Sequence, residues 1–291
     1  MSIYLSQLFL YMPNTEDLTR IATQIRRDII RQVSNISSGH PGGSMSSADF
    51  ITALFFNEMN HSPESWDRSG KGRDMFFLSA GHLTPLFYSV LARTGYFDIS
   101  ELNTFRHLGT RLQGHPSIGL PGVYMAAGSL GQGLSVACGA ALGKRSDNEE
   151  NTFVYVLMGD GECEEGQVWE AAMFAAHKKI ANLIAMVDWN NQQIDGTVEA
   201  VMGLTNLDKK WQAFGWETLV VDGHNMPEIL DGYARARQFS RKGKPVIILF
   251  KTDMGHGVDF MSGTNEYHGK APNSEQCERA LLQLEETLGD F

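Results

Sequence analysis

Two apolar runs in this chain stop at related chemistry. Residues 152–158 end at Gly159-Asp160-Gly161-Glu162, and residues 182–187 end at Asp188-Trp189-Asn190-Asn191, so Asn190 follows Asp160 by thirty residues. Both runs have the length and composition of short buried strands, and residues 167–178 between them carry a helical pattern. A strand–helix–strand unit of this length closes as a parallel crossover. It places Asp160 and Asn190 at the carboxyl ends of neighbouring parallel strands, the edge at which open α/β sheets bind ligands.

The rest of the chain extends that unit. Helices are predicted over 16–37, where Ile21, Ile25, Ile29 and Val33 fall at helical spacing, and over 46–58, 85–93, 129–145, 208–214, 227–239 and 274–288. Strands are predicted over 74–78, 217–221 and 245–250. Five strands alternating with helices predict an α/β fold, a doubly wound, mostly parallel sheet flanked by helices. The 129–145 helix is rich in small residues (Gly131, Gly133, Ala137, Gly139, Ala140, Ala141, Gly143), which implies close packing on other helices or a second subunit. Residues 251–273 have little periodicity, and a loop that long in a compact domain is usually functional. Residues 14–291 are expected to form one domain, preceded by an arm over 1–13 that packs on a neighbour.

The chain has 291 residues, 42% hydrophobic and 20% charged, enough for one large core. Its formal net charge of −10, with no basic run, argues against nucleic-acid binding. An anionic cofactor would have to be held by local N–H groups, histidines and a metal. Cys138, Cys163 and Cys277 have neither metal spacing nor a disulfide framework, as in a reducing cytoplasm. No stretch approaches the ~20 apolar residues that cross a bilayer. The mildly apolar start lacks the basic flank and cleavage site of a signal peptide. A cytoplasmic location is expected.

Magnesium takes oxygen ligands and is often held by one or two protein groups plus substrate phosphates. The Asp160 carboxylate and the Asn190 amide oxygen suit that task, and Gly159 and Gly161 let the backbone approach an anion. Alone, the spacing also fits a tight turn and a satisfied Asn. Four of the nine histidines, His40, His82, His115 and His268, lie beside glycine at the ends of predicted elements. Together they suggest a shared polar cleft that can donate to a phosphate or hydroxyl and move a proton near neutral pH. His61, His107, His177 and His224 are assigned to surface or packing, and His256 is a weaker candidate.

The acid–amide signature resembles that of the thiamine diphosphate enzymes, and the chain from about Asp17 to Asn273 resembles the amino-terminal half of transketolase. Ser38-Gly39-His40-Pro41-Gly42-Gly43, Leu78-Ser79-Ala80-Gly81-His82, Gln113-Gly114-His115-Pro116, Gly128-Ser129-Leu130-Gly131-Gln132-Gly133 and Tyr267-His268-Gly269-Lys270-Ala271-Pro272 resemble family motifs in the same order. The resemblance implies the diphosphate-binding fold, thiamine diphosphate and Mg2+. It implies Asp160, Asn190 and the Gln192 main-chain carbonyl as metal ligands, although Gln192 replaces a usual apolar residue. It implies cofactor contacts from His82, Gly128, Ser129, Leu130, Gly161, Asn190 and His268, and catalytic roles for His40, His115 and His268. Lys251 is a weaker candidate for a phosphate contact. Glu165 and Glu170 match acidic positions at the family's subunit interface.

In that family a glutamate of a second, pyrimidine-binding domain activates the cofactor. Residues 14–291 have room for one domain, so the expectation is the diphosphate-binding subunit of a split transketolase. A pyrimidine-domain partner would complete it, most simply as α2β2, to move a two-carbon ketol unit from a ketose phosphate to an aldose. The alternatives are a deoxyxylulose-phosphate-synthase-like or 2-oxo-acid decarboxylating subunit, and a non-catalytic scaffold.

Overall fold

The computed structural model describes residues 13–149 and 151–291. The expected arm, apart from Pro13, lies outside them. Helices α1 (Thr15–Asn35), α2 (Pro41–Ser46) and α3 (Ala48–Ala53) precede strand β1 (Met75–Leu78). Then come α4 (Thr84–Arg93), α5 (Gly133–Ser146), β2 (Val154–Gly159), α6 (Gly166–His177) and β3 (Leu183–Trp189). A small hairpin, β4 (Gln192–Gln193) and β5 (Gly196–Thr197), leads through α7 (Val198–Met202) and α8 (Leu207–Ala213) to β6 (Glu217–Asp222). Helix α9 (Met226–Ser240), β7 (Val246–Lys251) and α10 (Ser274–Gln283) close the order.

The five predicted strands form one sheet, ordered β1-β2-β3-β7-β6, with every neighbouring pair parallel. Side chains alternate between two buried layers. Phe76, Leu78, Tyr155, Leu157, Ile184, Met186, Ile248 and Phe250 face a layer built with Ile25, Phe50, Leu86 and Tyr233 of α1, α3, α4 and α9. Phe77, Val156, Met158, Ala185, Val187, Ile247 and Leu249 face Leu134, Ala137, Val168, Ala172 and Trp211 of α5, α6 and α8. Burial on both faces explains the continuous apolar runs, and the doubly wound expectation holds. The chain steps from β1 to β3, passes to the edge at β6 and returns to β7. The carboxyl ends of β3 and β7 therefore flank the reversal, the point at which such sheets bind ligands.

Buried ion pairs fix α1 within its apolar layer. Arg26 makes two bonds to Asp49 (3.0 and 2.6 Å), and Arg93 reaches both oxygens of Asp28 (2.5 and 2.7 Å). Bidentate pairs satisfy the buried carboxylates, and removing one partner would leave an uncompensated charge.

Three helices depart from the sequence expectation by more than two residues at a boundary. The helix expected over 46–58 is divided, because Ser47 caps α2 and a π turn over Leu54–Glu58 follows α3. The small-residue helix begins at Gly133 rather than 129, because Gly131 takes a left-handed φ of 82° that no right-handed helix contains. The last helix stops at Gln283 instead of 288. Leu284 is extended and buried, and the residues beyond it dock on α1 through Gln24 and Arg27.

At the start of α5 an added Cβ on Gly133 would lie 2.3 Å from the Ser79 Cβ and 2.8 Å from its Cα. The Gly133→Ala variant is expected to lose about 1–3 kcal/mol, the usual cost of overpacking. Thermal unfolding checks this, and an unchanged Tm would mean that the contact is slack.

Candidate functional site

The carboxyl ends of β2 and β3 bring Asp160 and Asn190 together. Asp160 is 2% exposed. Its Oδ1 accepts the Gly161 N–H (2.8 Å), and its Oδ2 accepts the Asn191 N–H (2.5 Å). Asn191 reaches it from a left-handed turn (φ 59°), a conformation Asn tolerates. Asn190 donates Nδ2 to Asp188 (2.8 Å), which leaves its Oδ1 as the oxygen that accepts the Gln192 N–H (2.9 Å). Asp188 thereby selects the amide orientation. Burial, and next the neighbouring Asp188 carboxylate, push Asp160 up to about 7. Two buried acids side by side with lone pairs remaining are a donor set that a divalent cation would stabilise.

Asp188 and Glu162 carry no sequence signal as ligand-positioning residues. Asp188 sits inside strand β3, where it reads as the end of an apolar run. It is buried and accepts hydroxyl donors from Ser46 and Thr252 (2.5 Å each) as well as Asn190. Burial raises its pKa against those hydrogen bonds. Glu162 belongs to the Gly159–Glu162 motif, but an acid beside a glycine turn reads as solvated. It is 3% exposed. It accepts the Ser79 hydroxyl, the Gly131 N–H (2.8 Å) and the Gly159 N–H (3.2 Å). Burial pushes it up to about 7, and these donors oppose the shift.

The four glycine-flanked histidines converge. The His40 ring centre lies 5.1 Å from that of His82, 6.5 Å from His115 and 5.9 Å from His268, and His82 lies 5.2 Å from His268. His40 is held by Gly39, whose added Cβ would strike Val33 Cγ1 at 2.5 Å and whose φ is 143°. His40 opens α2, and Ser46 at the other end of that six-residue helix bonds Asp188. One short helix thus ties the histidines to the acid–amide pair. His40, His82 and His268 are half-buried, whereas His115 is exposed. Burial, then His268, Arg106 and His115, push His40 down to about 4. Burial also lowers His82, His115 and His268. The quartet is neutral at neutral pH. Nδ1 of His40 and Nδ1 of His268 are buried without a hydrogen-bond partner among the described residues, so polar atoms await a ligand.

Arg106, which carries no sequence signal, lies beside this cluster and donates to the Ser38 hydroxyl (2.7 Å). Gly128 approaches His115, where an added Cβ would lie 3.8 Å from the ring, and Gly128, Ser129 and Leu130 are exposed. Gln192 opens the β4–β5 hairpin beside Asn190. Lys251 ends β7 with its ammonium 5.5 Å from the Trp189 ring centre. Glu165 and Glu170 are exposed at the start and middle of α6. His256 does not join the quartet. It stacks on His224 at 3.5 Å, and His224 in turn bonds Asp49 (2.9 Å) and accepts the Asp253 N–H (2.9 Å). Asp49 is already held by Arg26, and His224 bridges it to the Asp253 N–H, so the Asp49–His224 pair ties α3 to the loop after β7.

The neutral quartet predicts a pH effect. His40 has a folded pKa below the ordinary value of about 6.5, so its contribution to stability is present above that pH and is lost as pH falls towards about 4. The raised carboxylates act oppositely, so the parent must be compared with a variant. His40→Asn is expected to gain stability relative to the parent as pH falls from about 6.5, with a flat difference above about 7.5. Denaturant unfolding across that range measures it, and a pH-independent difference would refute the buried neutral imidazole.

Comparison with known proteins agrees with this geometry. The family described as "Transketolase, thiamine diphosphate binding domain" matches residues 18–285. A 6-deoxy-6-sulfo-D-fructose transketolase subunit of Clostridium sp. (strain MSTE9) is 39% identical over 272 residues, covering 92% of this chain and 96% of that protein. An apulose-4-phosphate transketolase subunit of Phocaeicola vulgatus is 36% identical, covering 90% of this chain and 92% of that one. Among solved structures, the transketolase of Campylobacter jejuni superposes with a TM-score of 0.86 at 31% identity, over 94% of this chain and 43% of that one. That of Leishmania mexicana also gives 0.86, at 29% identity over 94% and 42%. The chain therefore spans about two-fifths of the transketolases of solved structure and nearly the whole of the subunit-type relatives. Fold, motif order and these matches place the chain in the transketolase family, as a thiamine diphosphate binding domain.

Proposed function

We propose that this chain is the diphosphate-binding subunit of a two-chain transketolase that uses thiamine diphosphate and Mg2+. The observation that carries the reading is the packing of three histidine rings around His40 at 5.1–6.5 Å, tied through α2 and Asp188 to the pair of buried Asp160 and half-buried Asn190. Support for a two-chain enzyme comes from relatives named as transketolase subunits, whose full length this chain nearly matches. The exposed apolar residues Met173 and Phe174 of α6 and Val136 of α5, beside the open glycines Gly139 and Gly143, suit burial against a second subunit. The partner is a chain carrying the pyrimidine-binding domain and its glutamate, most simply in a cytoplasmic α2β2 assembly.

In this reading the Asp160 carboxylate, the Asn190 Oδ1 and the Gln192 main-chain carbonyl hold Mg2+. The Gly161 N–H, His82 and His268 contact the diphosphate, and Gly128, Ser129 and Leu130 contribute to the cofactor's site. Bound thiamine diphosphate supplies a nucleophilic thiazolium carbon that carries the two-carbon unit. His40, His115 and His268 bind sugar hydroxyls. A neutral imidazole nitrogen accepts the proton of the donor hydroxyl that becomes the departing aldehyde, and returns it to the acceptor. The substrates are a phosphorylated ketose and an aldose, in the pentose phosphate pathway or a related sugar route.

Ketol transfer from xylulose 5-phosphate to ribose 5-phosphate, with both cofactors present, tests the reading. Activity is expected only when this chain is mixed with its pyrimidine-domain partner. Asp160→Ala is expected to weaken metal-dependent cofactor binding by more than about 100-fold, beyond the 10–100-fold typical of losing an outer-shell partner. Parental activity in Asp160→Ala would sink the assignment. Cofactor binding without transfer to these sugars would move the search to other sugars, including sulfonated ones, or to 2-oxo acids.

A further inference from the structure

Apart from the helical bond that the Gln132 carbonyl accepts from the Val136 N–H, two hydrogen bonds tie residues 128–133 to the neighbouring described structure. The Gly131 N–H donates to Glu162 Oε1 (2.8 Å), and the Gly133 N–H donates to the Ser79 hydroxyl (3.1 Å). Ser79 donates its own proton to the same Glu162 oxygen. The second oxygen, Oε2, accepts the Gly159 N–H (3.2 Å) at the end of β2. Both polar ties that hold this glycine-rich segment against the sheet therefore run through one carboxylate, itself 3% exposed. Side-chain contacts support the same placement. An added Cβ on Gly131 would lie 2.7 Å from the Glu165 Cβ, and one on Gly133 2.3 Å from Ser79. Gly128, Ser129 and Leu130, just upstream, are exposed and have no main-chain partner within the described fold.

We infer that Glu162 is a positioning residue that fixes the 128–133 segment so that its main chain meets thiamine diphosphate. The inference rests on the proposed cofactor. Glu162 touches neither cofactor nor substrate and acts through Gly131 and Ser79. A carboxylate is required because two backbone N–H groups, which cannot reverse, meet its two different oxygens. Glutamine keeps the shape but must turn its NH2 towards one of them, setting donor against donor. The buried N–H so left is costly, and the glycine-rich backbone can relieve the conflict only by moving away.

The test uses the full chain with its partner. Glu162→Gln and Ser79→Ala are compared with the parent by titration with thiamine diphosphate in Mg2+, by amide hydrogen exchange without cofactor, and by the KM of the sugars at saturating cofactor. The expected result is a Kd for thiamine diphosphate raised about tenfold in Glu162→Gln, the equivalent of about 1.4 kcal/mol. A smaller rise is expected in Ser79→Ala, which keeps both backbone bonds to Glu162. Exchange should quicken in 128–134 and slow again when cofactor binds, with sugar KM nearly unchanged. Parental affinity in both variants would overturn the inference. So would exchange that quickens evenly across the sheet with affinity intact, which marks a merely structural acid. If Glu162→Gln fails to fold, the selective rise in Ser79→Ala decides. Absence of cofactor binding by the parent would sink the proposed function itself, whereas a binding parent with unaltered variants sinks only the role of Glu162.

Discussion

Three carboxylates buried at the ends of two parallel strands organise the site. Asp160, Glu162 and Asp188 are each 2–3% exposed, and none is paired with a Lys or Arg side chain among the described residues. An ionised carboxylate in such a place requires hydrogen-bond donors. The donors come from segments far apart in sequence: Ser46 at the end of α2, Ser79 after β1, Gly131 before α5, and Thr252 after β7. Satisfying these acids gathers the loops that carry His40, His82, Gly128 and the segment leading to His268. The acids contribute convergence of the loops to the fold, and their residual lone pairs are where the proposed cation would bind.

The same arrangement reconciles an acidic protein with an anionic cofactor. The chain carries a formal net charge of −10, so long-range attraction cannot concentrate a diphosphate. Local polarity must do so, and in the proposed reading it is a divalent ion on Asp160 and Asn190 together with backbone N–H groups and imidazoles. Burial and mutual proximity keep those imidazoles neutral. A neutral imidazole has one donor and one acceptor nitrogen, which suits sugar hydroxyls and proton transfer better than four cations crowded within 5.1–6.5 Å would. Arg106 reinforces that state, because a guanidinium beside His40 and His115 disfavours their protonation.

Much of the fold was legible because its signals are local. Strands buried on both faces must be continuously apolar, and 152–158 and 182–187 are. Ile21, Ile25, Ile29 and Val33 repeat at helical spacing because one stripe of α1 is buried. The failures share a cause. The division between α2 and α3, the late start of α5 and the early end of α10 each coincide with hydrogen bonds to partners distant in sequence. Those partners are Asp188 for Ser46, Glu162 for Gly131, and Gln24 with Arg27 for the tail. Propensity does not register a hydrogen bond made 142 residues away. The candidate site divides in the same way. His40, His82, His115 and His268 announced themselves through glycine neighbours, because loops that approach a ligand closely need small residues. Asp188 and Glu162 did not, because an acid at the end of a buried strand or beside a turn has no pattern that separates it from a solvated one.

The exposure gradient across the cleft bears on how it is completed. His82 and His268 are half-buried, His115 is exposed, and Gly128, Ser129 and Leu130 present free backbone on the same rim. Ile194 of the hairpin loop is 63% exposed, beside the Gly269 that follows His268. A site that moves protons between sugar hydroxyls and neutral histidines works best when water is excluded, since exclusion strengthens each polar contact. In the proposed reading this chain supplies the metal ligands and the histidines, and their outer side is bare among the described residues. Covering that rim requires a second surface, apolar enough to meet Ile194 and Leu130 yet bearing polar groups for the backbone at Gly128. A pyrimidine-binding partner fits that need. On this reading the bare rim is the part of the active site that the other chain completes, and the His40 and His268 nitrogens that lack a partner among the described residues face the substrate there.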